Sequence, residues 1–524
     1  MAICGNRNWL SGLLGVFRIT GVLAHVIFCC ENHALAQITP DKTLGNNSSK
    51  ITPNVNIKGS AADRIDGGAI RGANLFQSFQ EFNVGELQRV YFANPTGISN
   101  ILTRVTGSNV SNILGTLGVD GSANLFFLNP NGIIFGQNAR LDVSGSFIAT
   151  TANSFVFGDG LEFSATNPQI PSALLTVNPS ALFFNQIEAG SIKNRSIAPA
   201  GIDPSGVKAS GLRVADGKSL LLVGGNVSMD GGKLNAYGGR VELGGLAAPG
   251  NVNLLFNRDN LSLKFPLNVT RADISLTNQA GIYVKRFGGG DIAVNARNVD
   301  ILGGSFLSAG IGQGLGTPET VAGDIRVNGT GEIKVAGFGG GIANVVRLGS
   351  KGNAGNITID SGDFSLRDGA QLLASTYGQG NAGNVTVAAK NAISFAGQST
   401  AIFSTVEAGG VGNGGNIDIN ATSLSLTDGA QLSASTYGQG NAGNVTVNAK
   451  NAVSLAGQST AIFSTVVAGG VGKGGNIDIN ATSLALADGA QLNTSIHGQG
   501  NAGSVFVQAS DSVSLTNSNI LFRQ

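Results

Sequence analysis

The side chains that could do chemistry in this 524-residue chain are few, and their spacing decides what they are for. The most regular are the aspartates of a recurring DGAQL segment, headed in turn by Asp368, Asp428 and Asp488. If each interval between them makes two turns of a coiled β-structure, these carboxylates stand about 10 Å apart at ~4.8 Å per turn. That separation is compatible with the acid and base of an inverting glycosidase. Asp-Gly is nevertheless first a turn dipeptide, and the turn reading outweighs catalysis. His497 stands alone where the equivalent positions carry Tyr377 and Tyr437, so it reads as a loop residue facing solvent rather than a general base.

Gly-rich strings such as Gly409 to Gly415 (GGVGNGG) suggest calcium-binding turns, but they lack the Asp that would ligate the ion, and hard cations need several oxygen ligands including carboxylates. The string beginning at Gly281 lacks the following helix that a phosphate loop uses. No catalytic, cofactor-binding or metal-binding residue is therefore assigned. The Asn that closes many Gly-Asn steps is expected to form a ladder of side chains hydrogen-bonded to one another along the coil.

With 32 Lys+Arg against 31 Asp+Glu, a formal net charge of +1, the composition excludes a basic nucleic-acid face and a highly charged disordered tail. All three Cys (Cys4, Cys29, Cys30) and the one Trp (Trp9) lie no further along the chain than Cys30. Arg7 and Arg18 flank a first apolar stretch, Ile19 to Cys30 forms a second, and Ala34-Leu35-Ala36 supplies a small-x-small pattern. Residues 1–36 thus read as a signal peptide cleaved between Ala36 and Gln37, in preference to an uncleaved anchor or a lipoprotein leader. Beyond it no apolar run approaches the roughly 20 residues of a spanning helix. The mature chain would be exported, without disulfides, and held by its core and backbone hydrogen bonds.

What positions these residues is a repeat. Residues 361–420 and 421–480 agree at 49 of 60 positions. A shorter beat starts at Asp291, Asp324, Asn356, Asn384, Asn416, Asn444, Asn476 and Ser504, with spacings of 33, 32, 28, 32, 28, 32 and 28. Units of about 30 residues imply a solenoid. Each unit reads as three short strands: Val385-Thr386-Val387, Ile393-Ser394-Phe395, and Ser399 to Val406. Stacked in parallel, their inward Val, Ile, Leu and Phe fill one continuous core. The expected fold is all-β, a right-handed parallel β-helix. Substitutions between the two modules agree: Ile393 becomes Val453 and Phe395 becomes Leu455, whereas Glu407 becomes Val467 and Asn413 becomes Lys473 in Gly-rich segments expected to face water. The domain plan is residues 1–36 as leader, 37–160 as an N-terminal domain with a cap, 161–290 as β-helix continuation and 291–524 as the repeat coil. The cap is required because a first rung exposes unpaired backbone.

In residues 68–160 the motifs are specific. Asn129-Pro130-Asn131-Gly132-Ile133, followed by Ile134-Phe135-Gly136, stands downstream of Phe79, of Phe82-Asn83-Val84-Gly85 and of Arg104-Val105-Thr106-Gly107. Together with Asn178 to Ile187 (NPSALFFNQI) and Gly239 to Gly245 (GGRVELG), they resemble the secretion domain of filamentous haemagglutinin-like exoproteins of the two-partner secretion family, in their cyanobacterial form. The resemblance implies a capped β-helix recognised by the periplasmic part of an outer-membrane pore of the Omp85 class. It also implies that residues 129–133 form the secretion-recognition turn. A second element of some relatives has its nearest candidate in Asn94-Pro95-Thr96-Gly97, which departs from their Asn-Pro-Asn-Leu. Independently of the family, Pro130 fixes φ and Asn131-Gly132 tolerate positive φ, so NPNG is expected as a tight turn between apolar strands. The expected protein is a secreted or cell-surface, non-enzymatic exoprotein, an adhesin or filament of a Gram-negative-type cell, with a receptor that the sequence does not name. The alternatives are a carbohydrate-active β-helix enzyme and a structural cell-envelope protein.

Overall fold

The computed structural model describes residues 37–257 and 260–522, so the expected leader with Ala36 lies outside the described residues. Among these, apart from two short 3-10 turns, all regular structure is β. The chain winds as a parallel β-helix with three faces. On the first face an inward apolar column passes through Leu75, Ile101, Leu125, Phe147, Leu220, Val241, Ile292, Ile325, Ile357, Val385, Ile417, Val445 and Ile477, each residue in register with the next. All of them belong to one continuous core. Alternation along each strand is what builds it: Val385 and Val387 are buried while Thr386 between them is not.

From Ile292 onward the register repeats the spacings read from the sequence. In each repeat unit the third run is shorter than expected. Its strand is Ala401–Phe403, and Ser399 sits in the preceding turn at φ 63°. Ile393, Phe395, Val453 and Leu455 are buried and Asn413 and Lys473 exposed, as expected, whereas Glu407 and Val467 are half-buried rather than open to water.

The N-terminal part is coiled too, as the resemblance implies, although it lacks the regular beat. Its rungs are shorter than those of the repeat coil and shorten further along the chain, as Leu75, Ile101, Leu125 and Phe147 succeed one another in register. Two rungs are instead very long, one from Phe147 to Leu220 and one from Val241 to Ile292. Their excess builds an antiparallel sheet outside the coil, in the order Glu162–Ser164, Ser154–Val156, Ala181–Phe184, Gly250–Asn257, Asn260–Lys264. Strands from both sides of residue 160 share this sheet, which a division at that position would separate. It covers the outward column Phe76, Leu102, Phe126, Ile148 and Leu221, making a second core. Phe76 meets Phe163 edge-on at 4.8 Å, and Phe126 meets Phe155 at 5.7 Å.

The cap proper precedes the first rung. Ser49–Ile57 and Ser60–Gly67 form an antiparallel hairpin whose second strand runs parallel to Arg89–Ala93. Ile38–Pro40 and Ala69–Arg71 pair antiparallel with Asn74–Phe82. The backbone edges that the first rung would otherwise expose are thereby occupied.

Candidate functional site

The Asn129 turn joins the strands Asn124–Leu128 and Ile133–Phe135, at the corner between the first and second faces. The Asn131 amide donates to Asn129 Oδ1 at 3.0 Å, and the Gly132 amide to the Asn129 carbonyl at 3.2 Å. Of the two residues expected to tolerate positive φ, only Gly132 uses it, at 131°. The corner is also a clamp between rungs. Asn129 Nδ2 donates to the Asn109 carbonyl and to Ser111 Oγ, and Asn131 Nδ2 to the Gly107 carbonyl, all in the preceding rung. On the following rung Gly190 donates to the Pro130 carbonyl at 3.2 Å. A Cβ on Gly190 would stand 2.5 Å from that oxygen, so the approach requires glycine. Asn129, Pro130, Gly132 and Ile133 are buried, and only Asn131 is exposed.

Asn94-Pro95-Thr96-Gly97 is built oppositely. Asn94 Oδ1 accepts from Ser122 and Ala123 of the next rung, at 2.9 and 3.0 Å, while Pro95, Thr96 and Gly97 are exposed. The two Asn-Pro turns lie on different corners, one clamped on both sides and one open.

Arg104 is fully buried, an outcome that its place in the run NILTRV does not announce. Its guanidinium donates to Ser78 Oγ at 2.9 Å, the Ser164 carbonyl at 2.8 Å, Thr43 Oγ1 at 2.8 Å and the Gln169 carbonyl at 2.9 Å, and lies 4.2 Å from the Phe163 ring centre. Burial lowers its pKa to about 10, opposed by the charge of Asp41, so it stays cationic at neutral pH. For Asp41, burial works upward, but hydrogen bonds from Thr106, Thr43 and Ser78 hold its carboxyl below the ordinary value. One network thus ties the turn after the first strand of the cap, the first two rungs and the outer sheet together, using Arg104 and Thr106 of the RVTG motif.

The other motifs fasten the same outer layer. Asn100 Nδ2 donates to Asn74 Oδ1 and to Asn178 Oδ1, and Asn74 Nδ2 to the carbonyls of Leu175 and Val177. In GGRVELG, Glu242 is buried beneath the hairpin 250–264, where it accepts from the Leu263 amide at 3.1 Å and from Arg240 Nε at 2.9 Å. Burial raises its pKa, with Arg240 acting against that rise.

The remaining candidates fall on the surface of the repeat coil. Asp368, Asp428 and Asp488 lie at turn apices with φ of 57°, 58° and 54°, the geometry of the turn reading. His497 has Nε2 3.1 Å from Ser495 Oγ. The Asn ladder differs from expectation: Oδ1 of Asn384, Asn416 and Asn444 accepts the backbone N–H of Asn416, Asn444 and Asn476, at 2.8 to 2.9 Å. The amide side chain supplies a partner to the next rung's backbone at a corner, where β-pairing is interrupted.

A capped parallel β-helix whose early rungs carry an outer antiparallel layer is the class of protein that this geometry defines. Residues 36–294 match the family model described as the TPS secretion domain. That stretch of the chain is a secretion domain of the two-partner secretion family. A stretch of 72 residues is 38% identical to a heme/hemopexin-binding protein of Haemophilus influenzae strain Rd, covering 14% of this chain and 8% of that protein. A heme/hemopexin-binding protein of Haemophilus influenzae is 28% identical over 137 residues, 26% of this chain and 14% of that one. The matches therefore span a small part of those relatives. The crystal structure of the HMW1 secretion domain from Haemophilus influenzae shares the fold, with a TM-score of 0.51 at 17% identity over 93% of this chain and 100% of that one.

Proposed function

We propose that this chain is a surface exoprotein, an adhesin or filament, whose N-terminal coil is read in the periplasm by an outer-membrane pore of the Omp85 class and whose repeat coil is the passenger. The observation that carries the reading is the difference in construction within one coil. Among the described residues, only the part that matches the secretion domain has the cap, the buried Arg104 network and the outer sheet. Within the Asn129 turn, Asn131 presents its exposed side chain to a partner, and the bonds of its Nδ2 to Gly107 and Asn129 hold that side chain in place. The alternative turn, Asn94 to Gly97, offers an open loop. The protein acts without catalysis in this reading.

Co-expression with each candidate pore tests it. The expected result is release into the medium of a product beginning at Gln37 with one pore and not the others. Release that is independent of every pore, or a released product retaining Met1, contradicts it.

A further inference from the structure

At the corner between the first and second faces of the repeat coil, an open groove of about 900 Å³ runs along the stack from Asn328 to Ser510. Its two lips differ. One carries the exposed amides of Asn420, Asn448 and Asn480 on successive rungs, where Asn480 Nδ2 donates to Asn448 Oδ1 at 3.0 Å and Asn448 Nδ2 to Asn420 Oδ1 at 3.1 Å. A side-chain ladder of the kind expected at the Gly-Asn steps is thus found at the other end of the same strands. The other lip carries Lys390, Lys450 and Thr482, with Thr422 stacked on Lys390 as Thr482 is on Lys450. Both threonine hydroxyls donate down to lysine carbonyls at 2.8 Å, which leaves their oxygens as acceptors toward the groove. Between the lips the chain places only small residues, Ala421 and Ala449 among them, so the space stays open.

We propose that this groove binds a linear, uncharged, hydroxyl-rich glycan lying along the coil axis. Over three successive rungs the ladder lip presents the same amide again after ~4.8 Å, comparable to the length of one pyranose residue, and the facing lip repeats its lysine every second rung, so successive sugars meet recurring partners. Each ladder amide keeps one N–H and an oxygen lone pair beyond its neighbour contact, enough to pair with sugar hydroxyls. Charge argues against an anionic polymer. The lysines are offset by Asp418 and Asp478, which stand two residues before Asn420 and Asn480 on the outward side of the same strands. The inference deepens the surface-exoprotein reading by naming a ligand class, yet it is tested on purified protein, so its outcome is separate from that of export.

The test is equilibrium binding of the full mature chain to β-1,4-glucan, β-1,4-xylan, α-1,4-glucan and β-1,3-glucan oligosaccharides of increasing length. Retention of at least one neutral series is expected, with affinity rising with length up to a span of ~30 Å, about seven rungs, and insensitive to added salt. Combined N420A, N448A and N480A should weaken binding roughly tenfold, while N384A, N416A and N444A at the opposite corner should leave it unchanged. Because length dependence is read on the unaltered chain, an unstable triple variant does not decide the matter. No retention of any neutral series, affinity independent of length, binding only to an anionic polymer and lost in salt, or equal weakening by both triple variants would each overturn the proposal.

Discussion

Residues 74–150 and residues 357–516 run through the same faces and fill one core, yet their neighbouring rungs are held by different means. In the repeat coil the rungs are joined by backbone pairing and by single side-chain steps that recur along the stack, such as Asn384 to Asn416 and Thr422 to Lys390. In the N-terminal coil, individual side chains join three layers at once: Arg104 reaches cap, rung and outer sheet, and Asn129 holds the rung before it while its turn receives the rung after. Redundancy makes the first kind of construction tolerant of loss. The second concentrates stability in a few groups whose removal strands their partners.

Replacing Arg104 with Met should produce the largest effect. Asp41 and the carbonyls of Ser164 and Gln169 would lose their common cation, a loss of about 3–5 kcal/mol by the precedent of broken buried pairs. A denaturation midpoint shift of that size, with protease sensitivity gained at residues 38–49 and 164–176, is expected. Arg367, exposed and bonded to Ser365, is the matched control in the repeat coil and should change stability by no more than about 0.5 kcal/mol. Equal shifts would erase the distinction between the two regions.

Asn129→Ala comes next, at about 2–3 kcal/mol, because buried groups on the preceding rung and within the turn lose their partners. Chemical denaturation together with the amount exported measures it.

Acid should loosen the cap before the repeats. Asp41 is held below its ordinary value of 3.8, so the stability it contributes is present above that pH and is lost as pH falls through its lower folded value. Pepsin cleavage near residues 38–49 should therefore increase below about pH 4, ahead of cleavage in residues 384–449. In Asp41→Asn that acid-dependent increase should disappear.

A smaller effect than that of Asn129→Ala is expected from Asn384→Ala, about 1 kcal/mol, since one exposed amide step is removed from a long stack. A shift as large as that of Asn129→Ala would show that the corner ladder is less redundant than its geometry.

Much of this contrast follows from what a sequence can carry. Alternation with self-similarity exposes inward residues such as Val385 and Val387, because repetition multiplies a weak strand signal. The short N-terminal rungs repeat no sequence, so only their apolar content points to burial. The outer sheet is hidden because neighbouring strands in it, Ala181–Phe184 and Gly250–Asn257, come from segments far apart in the chain. Arg104 is legible as part of a motif but not as a buried ion, since arginine is ordinarily exposed and its cover comes from distant residues. At Gly-Asn steps the presence of an amide is readable, whereas its partner, a backbone N–H, depends on where β-pairing breaks at the corner.

The proposal that export is read from the N-terminal coil, where single contacts are not redundant, meets its sharpest test in two deletions. Removing residues 361–420 joins Asp360 to Ala421, which is equivalent to Ser361, so inward residues keep register and the stack loses two rungs. Removing residues 107–136 takes away the Asn129 clamp and the rung that it closes. Compared in periplasm and culture medium, the first deletion should be folded and released, and the second retained. Release of the second with retention of the first would contradict the account.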